Sequence, residues 1–258
     1  MDEEYDIQDD WVIFKYLFNE PLNNEHLDVI SKYKKVKFGY FFNQSVDNLP
    51  IGVTDIDFGN YFNNPIDNLP NTVINLALST RFNQPINFLP DSLKFLYLGK
   101  DFDQPIDNLP DGLKEIKFGI SYNQFIDNLP DSIEYLSLGW NFNQPIKKLP
   151  ENLKELTFFP YGHFNESIDI FPKNLEKINF GVNFDKPLPN LSNNIRSISF
   201  GSSYKQIIDN FPDTIEELYF SKYYRQPIKK LPKNLKKIRI SNYNLNLLDN
   251  KDIIWESC

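Results

Sequence analysis

The sequence predicts a mainly β fold: a right-handed parallel β-solenoid of about ten 20-residue coils behind a small helical N-terminal cap. Three observations predict it. Prolines fall at Pro50, Pro70, Pro90, Pro110, Pro130 and Pro150, then at Pro172, Pro212 and Pro232, with Ser192 in the remaining slot. Apolar residues keep the same step, and each unit carries one stretch of the form L-x-x-L-x-[LF]-G that alternates apolar and polar side chains. A period of this length marks an array in which each unit buries its apolar face against the next.

Residues 1–35 are read first, as the cap. Trp11, Phe14 and Leu17 stand at helical spacing, as do Leu27, Ile30 and Tyr33, so two helical turns are expected to cover the open edge of the first coil. Residues 36–242 form the solenoid. In each unit the strand is the run ending in columns such as Ile56, Leu76 and Leu96, then Phe58, Leu78 and Leu98. Glycines Gly39, Gly59, Gly99, Gly119, Gly139, Gly181 and Gly201 stop it, and a positive φ is expected there. A second proline column (Pro65, Pro85, Pro105, Pro145, Pro187, Pro227) leaves no room for a crossover helix, so the return is extended. An aromatic column (Phe42, Phe62, Phe82, Phe102, Tyr122) and an aliphatic one (Val46, Ile66, Ile86, Ile106, Ile126) complete the inward set. Residues 243–258 are the C-terminal cap, with Leu245, Leu247, Leu248, Ile253, Ile254 and Trp255 covering the last coil.

Composition narrows the function classes. Of 258 residues, 41% are hydrophobic and 24% charged, which suits a packed core. No apolar run approaches the roughly 20 residues of a membrane-spanning helix, and the acidic start MDEEYDIQDD does not resemble a secretory signal. Cys258 is the single cysteine, so no internal disulfide is expected and the reading is a cytoplasmic one. A net charge of −8 disfavours general nucleic-acid binding.

The unit F-N-x-P-I-x-x-L-P, seen in FNQPINFLP (82–90) and FNQPIKKLP (142–150), closely resembles the FNIP repeat, a family of social amoebae and amoebal giant viruses. The LPxxLxxLxL portion is similar to short leucine-rich repeats. The resemblance implies a leucine-rich-repeat-like interaction scaffold without enzymatic activity, placed in the host-cell cytoplasm if the chain is viral. It also implies an alternative in which residues 1–35 are a divergent F-box and the chain recruits substrates to ubiquitin-ligase subunits.

No catalytic residues, metal ligands or cofactor are expected. His26 and His163 have no spaced partner, and no glycine-rich phosphate loop occurs. The acid column (Asp47, Asp67, Asp107, Asp127, Asp169, Asp209) lacks the glycine-rich loops of a calcium roll and is read as turn-making, each carboxylate accepting from an N–H two residues on. The asparagine column (Asn43, Asn63, Asn83, Asn123, Asn143, Asn165) is read as a side-chain amide ladder between coils.

Binding is expected where columns vary, on the outward strand face. Phe95, Tyr97 and Tyr135, with Trp140 at a strand end, form the aromatic candidate, since clustered exposed aromatics anchor interfaces. Tyr161, in a two-residue insertion, is added as a departure from the repeat. Residues 222–239 hold eight bases and no acid, so Lys236, Lys237 and Arg239 are candidates for an acidic protein, for the acidic N-terminus of another copy, or for nucleic acid as a further alternative. The partners expected are therefore other proteins, with no membrane and nucleic acid disfavoured.

Overall fold

Short strands arise wherever an inward aliphatic residue is flanked by two outward residues, and glycine or a turn stops them after three or four positions. The structure, a computed structural model, describes residues 4–240 and 253–257. It is mainly β, a parallel β-solenoid with one short helix near the N-terminus. The chain divides into two units, residues 1–124 with 128–133, and residues 125–127 with 134–258.

In the first unit a hairpin, β1 (Tyr5–Gln8) and β2 (Trp11–Phe14), precedes helix α1 (Asn24–Tyr33) and strands β3 (Lys35–Lys37), β4 (Asp55–Asp57), β5 (Asn75–Ala77), β6 (Phe95–Tyr97) and β7 (Glu115–Lys117). β1 and β2 are antiparallel; from β2 to β7 each strand pairs in parallel with the next, and from β3 onward the step is 20 residues. The second unit holds β8 (Tyr135–Leu138), β9 (Glu155–Phe158), β10 (Lys177–Asn179), β11 (Ser197–Ser199), β12 (Glu217–Tyr219), β13 (Lys237–Ile240) and β14 (Ile254–Ser257), paired in parallel in that order.

The N-terminal segment corrects the helical reading of Trp11, Phe14 and Leu17. Residues 11–14 are strand β2, whose Val12 and Phe14 are buried, while Leu17 is 73% exposed. The segment is in fact a further coil. Phe18-Asn19-Glu20-Pro21-Leu22 repeats the F-N-x-P-I pattern, and the Phe18 ring stacks on Phe42 at 5.9 Å and 5°. Only its return is helical. Asn23 caps α1 by accepting the His26 N–H at 3.0 Å, and His26 Nδ1 accepts the Asn23 N–H in return. Nε2 then carries the ring proton and donates to Glu4 at 2.7 Å, which closes the hairpin over the helix. Lys34, in the left-handed region at φ 64°, ends the helix.

The inward columns are packed as the sequence indicates. Phe42, Phe62, Phe82, Phe102 and Tyr122 are fully buried and stack in near-parallel rings 6.1–6.3 Å apart. In the second unit Phe142, Phe164, Phe184, Tyr204 and Tyr224 continue the pattern at 5.8–6.2 Å. A tyrosine in this column must place a hydroxyl in the core. Tyr224 donates to the Gln206 carbonyl at 3.0 Å, whereas the buried Tyr204 hydroxyl has no hydrogen-bond partner among the described residues. Burial therefore pushes the Tyr204 hydroxyl well above its ordinary range. Tyr204→Phe should stabilise the second unit by about 1 kcal/mol, because it removes a desolvated group without losing a bond. A urea midpoint that falls instead would contradict this.

The asparagine column is a ladder built from both side-chain amides and backbone N–H groups: Gln44, Asn64 and Gln104 donate to the Oδ1 of Asn19, Asn43 and Asn83 at 3.1–3.3 Å. Each Oδ1 accepts the backbone N–H of the same column one coil on: Asn19 from Asn43, Asn43 from Asn63, Asn63 from Asn83, all at 2.8–2.9 Å. Only an acceptor is needed, so Asp103 and Asp185 serve equally, bonding the N–H groups of Asn123 and Lys205. The acid column also bonds between coils, which corrects the turn-making reading. Asp127 accepts from Lys147 N–H at 3.0 Å and Asp209 from Lys229 N–H at 2.9 Å, while Asp47 and Asp107 accept from the side-chain amides of Asn68 and Asn128.

The glycine column is also corrected. Among the described glycines only Gly52 has a positive φ, at 107°. At Gly39, Gly59, Gly99, Gly119, Gly181 and Gly201 the demand is one of local space: a Cβ on Gly119 would stand 2.6 Å from the carbonyl carbon of Gly99. At the C-terminus, Leu245, Leu247 and Leu248 lie outside the described residues, as does Cys258. Ile253 is buried, but Ile254 is 63% exposed and does not cover the last coil.

Candidate protein-binding surface

The outward strand positions carry the first group of candidate residues. Phe95 and Tyr97 flank β6 in the first unit and are half-buried. Tyr97 is covered from one side: Lys117 Nζ lies 4.8 Å above its ring and also pairs with Glu115 at 2.7 Å. The Glu115 carboxylate holds Lys117 above its ordinary value. Tyr135, 44% exposed, opens β8 in the second unit. Phe95 and Tyr97 thus make a pair in one unit, and Tyr135 and Trp140 belong to the other.

Trp140 and Tyr161 meet, and they bring unforeseen company. Trp140 lies 5.3 Å from Phe159 and 6.5 Å from Tyr161, centroid to centroid, and its Nε1–H donates to His163 Nε2 at 3.1 Å. Phe159 is 38% and Tyr161 65% exposed. The insertion at 160–163 produces this corner: Gly162 N–H returns to the Phe159 carbonyl and His163 N–H bonds the Trp140 carbonyl. Phe159 occupies the slot that holds glycine in most coils.

A second strand-end corner, in the first unit, was missed by reading strand positions alone. Tyr16 stacks on Tyr40 at 4.7 Å, Phe41 sits 5.1 Å from Tyr61, and the Arg81 guanidinium covers Tyr61 at 4.4 Å. Tyr16 is 59% exposed. The signal was present in the sequence, since Tyr40 and Trp140 share the position after the strand-end glycine.

The basic end is partnered within the chain. Lys236 pairs with Glu216 at 2.6 Å, Lys237 and Arg239 with Glu256 at 2.7 and 2.8 Å, and Lys233 with Asp213 at 3.1 Å. Lys237 and Arg239 also lie over the Tyr219 ring. Of these residues Arg239, Glu256 and Tyr219 border a strand-face groove of about 1150 Å³, which reaches Asn179, Ser197, Ser199 and Glu217. Ser197 and Ser199 are the small outward side chains that deepen it.

The charge pairs carry a pH dependence. Lys236 holds Glu216 below the ordinary glutamate value of 4.5, and Lys237 and Arg239 do the same to Glu256. A depressed carboxylate contributes its stability above its unfolded pKa and loses it as pH falls through the folded one. The last coils should therefore lose a small part of their protection as pH falls below the ordinary glutamate range, small because these pairs are solvent-screened. Hydrogen exchange across 216–240 as pH is lowered checks this, and protection unchanged down to acid unfolding would refute it.

Imidazole chemistry is taken up by structure: His26 bonds Asn23 and Glu4, and His163 bonds Trp140. Among the described residues no group of His, Cys, Asp and Glu is arranged to hold a metal ion, and no helix is long and apolar enough to cross a membrane.

The FNIP Repeat family model matches residues 42–81, 62–101, 82–121, 102–139, 122–161 and 184–223. The chain belongs to the FNIP repeat family. Among solved structures it is similar to one described as CroV588, a novel circular LRR protein, at 28% identity and a TM-score of 0.59. That match covers 99% of this chain and 50% of the other, so the chain spans half the length of that protein. No curated protein matches it.

The FNIP matches include Trp140, Phe159 and Tyr161; they omit 162–183, which contains His163, and the coil that carries Tyr16.

Proposed function

We propose that this FNIP chain is a non-enzymatic, cytoplasmic protein-binding scaffold. The observation that carries the reading is the corner where half-buried Trp140 meets exposed Phe159 and Tyr161, its backbone placed by hydrogen bonds at an insertion in an otherwise regular array. A solenoid fixes the backbone that bears such rings, which lowers the ordering cost of binding, and aromatic anchors are where interface energy concentrates. Tyr135, on the strand face of the same unit, adds to this surface, and Phe95 with Tyr97 offers a separate aromatic pair in the first unit.

The basic residues have a smaller part in this reading. Lys236, Lys237 and Arg239 are engaged by Glu216 and Glu256, which disfavours both nucleic acid and an acidic partner at that end. The ubiquitin-ligase adaptor loses its support because Val12, Phe14, Phe18 and Leu22 are buried in a coil of the solenoid. The test is binding of a partner obtained by proximity labelling. Trp140→Ala with Tyr161→Ala should weaken it by about 2 kcal/mol or more, roughly 30-fold, with the fold intact by circular dichroism. Unchanged affinity for every partner would refute the corner as the site.

A further inference from the structure

The proline corner between the coils of Pro150 and Pro172 holds a second, separate feature. A cleft of about 470 Å³ opens there, within the usual range for ligand pockets. Its floor is apolar, formed by Leu149, Phe171 and Pro172, and Ile170 stands at its edge 65% exposed. The column occupied by Ile170 is asparagine or lysine in most coils, as at Asn48, Asn68, Asn108, Asn128 and Lys148. The stacking of the array does not require an isoleucine here, since polar side chains fill the same column in most coils.

The rim is basic. Lys147, Lys148 and Lys173 line the cleft against one acid, Glu151, an excess of two positive charges on a chain whose net charge is −8. Among the described residues no ion pair engages the ammonium groups of Lys147 or Lys173. Asp127 bonds the backbone N–H groups of Lys147 and Lys148 at 3.0 and 3.3 Å, so part of its charge is already met there. This differs from the basic run at the C-terminal end, where each of Lys236, Lys237 and Arg239 has a carboxylate beside it.

We propose that this cleft binds an acidic peptide segment of a partner protein, with one bulky aliphatic or aromatic side chain seated on Leu149, Phe171 and Ile170 and flanking carboxylates on Lys147 and Lys173. Charge complementarity selects this occupant over a basic or neutral one. The apolar floor selects it over a nucleic acid, whose phosphates would leave that floor empty. The lysines act at short range, because at physiological salt the attraction reaches about 8 Å and the chain's overall negative charge is screened beyond that. The inference goes beyond the aromatic-corner reading and does not depend on it.

The test uses the full chain and a random peptide library displayed on phage, counter-selected against Lys147→Glu with Lys173→Glu. Recovered peptides should place Asp or Glu around a single large apolar residue and should bind more weakly as salt is raised. Their synthetic forms should lose more than about tenfold in affinity on the double charge reversal and on Ile170→Ser. Both variants are at exposed positions, and circular dichroism verifies their fold. Trp140→Ala with Tyr161→Ala should leave these peptides bound, which separates failure here from failure of the corner. Peptides without acids, peptides indifferent to both variants, or no recovered peptide would overturn the proposal.

Discussion

Gly99→Ala is expected to destabilise the first unit by about 3 kcal/mol or more, although it adds a single methyl group. The added Cβ would overlap the Ser79 carbonyl oxygen and stand 2.6 Å from its carbonyl carbon. Both are backbone atoms of the preceding coil, so no side chain can swing away. Relief requires the coils to part, and that would strain the parallel pairing of β5 with β6. Gly99 has no left-handed φ, so the effect is one of space alone. Two controls isolate it. Gly112→Ala would meet chiefly the far end of the Lys94 side chain, at 2.5 Å, which can turn aside, and should be close to neutral. Gly52→Ala has open space but a φ of 107°, and should cost about 1 kcal/mol through strain. Chemical denaturation that ranks the three differently, or a Gly99→Ala loss below the Gly52→Ala loss, would contradict the steric account.

The inward columns were legible because stacking repeats them: Ile56, Leu76 and Leu96 are buried in register for the reason they recur in sequence. The coil at 11–22 escaped notice because α1 replaces its proline corner and lengthens the step from Phe18 to Phe42 to 24 residues. The spacing of Trp11, Phe14 and Leu17 imitates a helix, but Val12 and Phe14 are the inward pair of a strand. The charge pairing of the C-terminal coils was readable in principle. In a stacked array residues 20 apart are neighbours, and Glu216 with Lys236 and Asp213 with Lys233 obey that rule. Read along the chain, the same lysines look like an unneutralised run. The corner around Trp140 was only half legible: its two-residue insertion is visible, but the backbone bonds that gather Phe159, Tyr161 and His163 around Trp140 are not.

Phe82→Ala should cost about 3–5 kcal/mol, the range for removing a buried phenylalanine. Phe82 is fully buried, with Phe62 at 6.2 Å and 2° on one side and Phe102 at 6.3 Å and 12° on the other. The cavity would be hard to collapse. Neighbouring rings are held in column by their own coils, and Asn63 Oδ1 fixes the backbone beside Phe82 through the Asn83 N–H at 2.9 Å. The loss should also be graded along the chain, because in a repeat array stability is carried by nearest-neighbour interfaces. Each coil is joined to the next by strand pairing, the ring column and the asparagine ladder, all of which act across a single step. Hydrogen exchange should therefore rise most in the strands that flank the lesion, β5 and β6, and least in β3 and β7. A uniform rise across the unit would mean that it unfolds as one cooperative block, and a cost below about 2 kcal/mol would mean that the ring column is not the element that binds coil to coil.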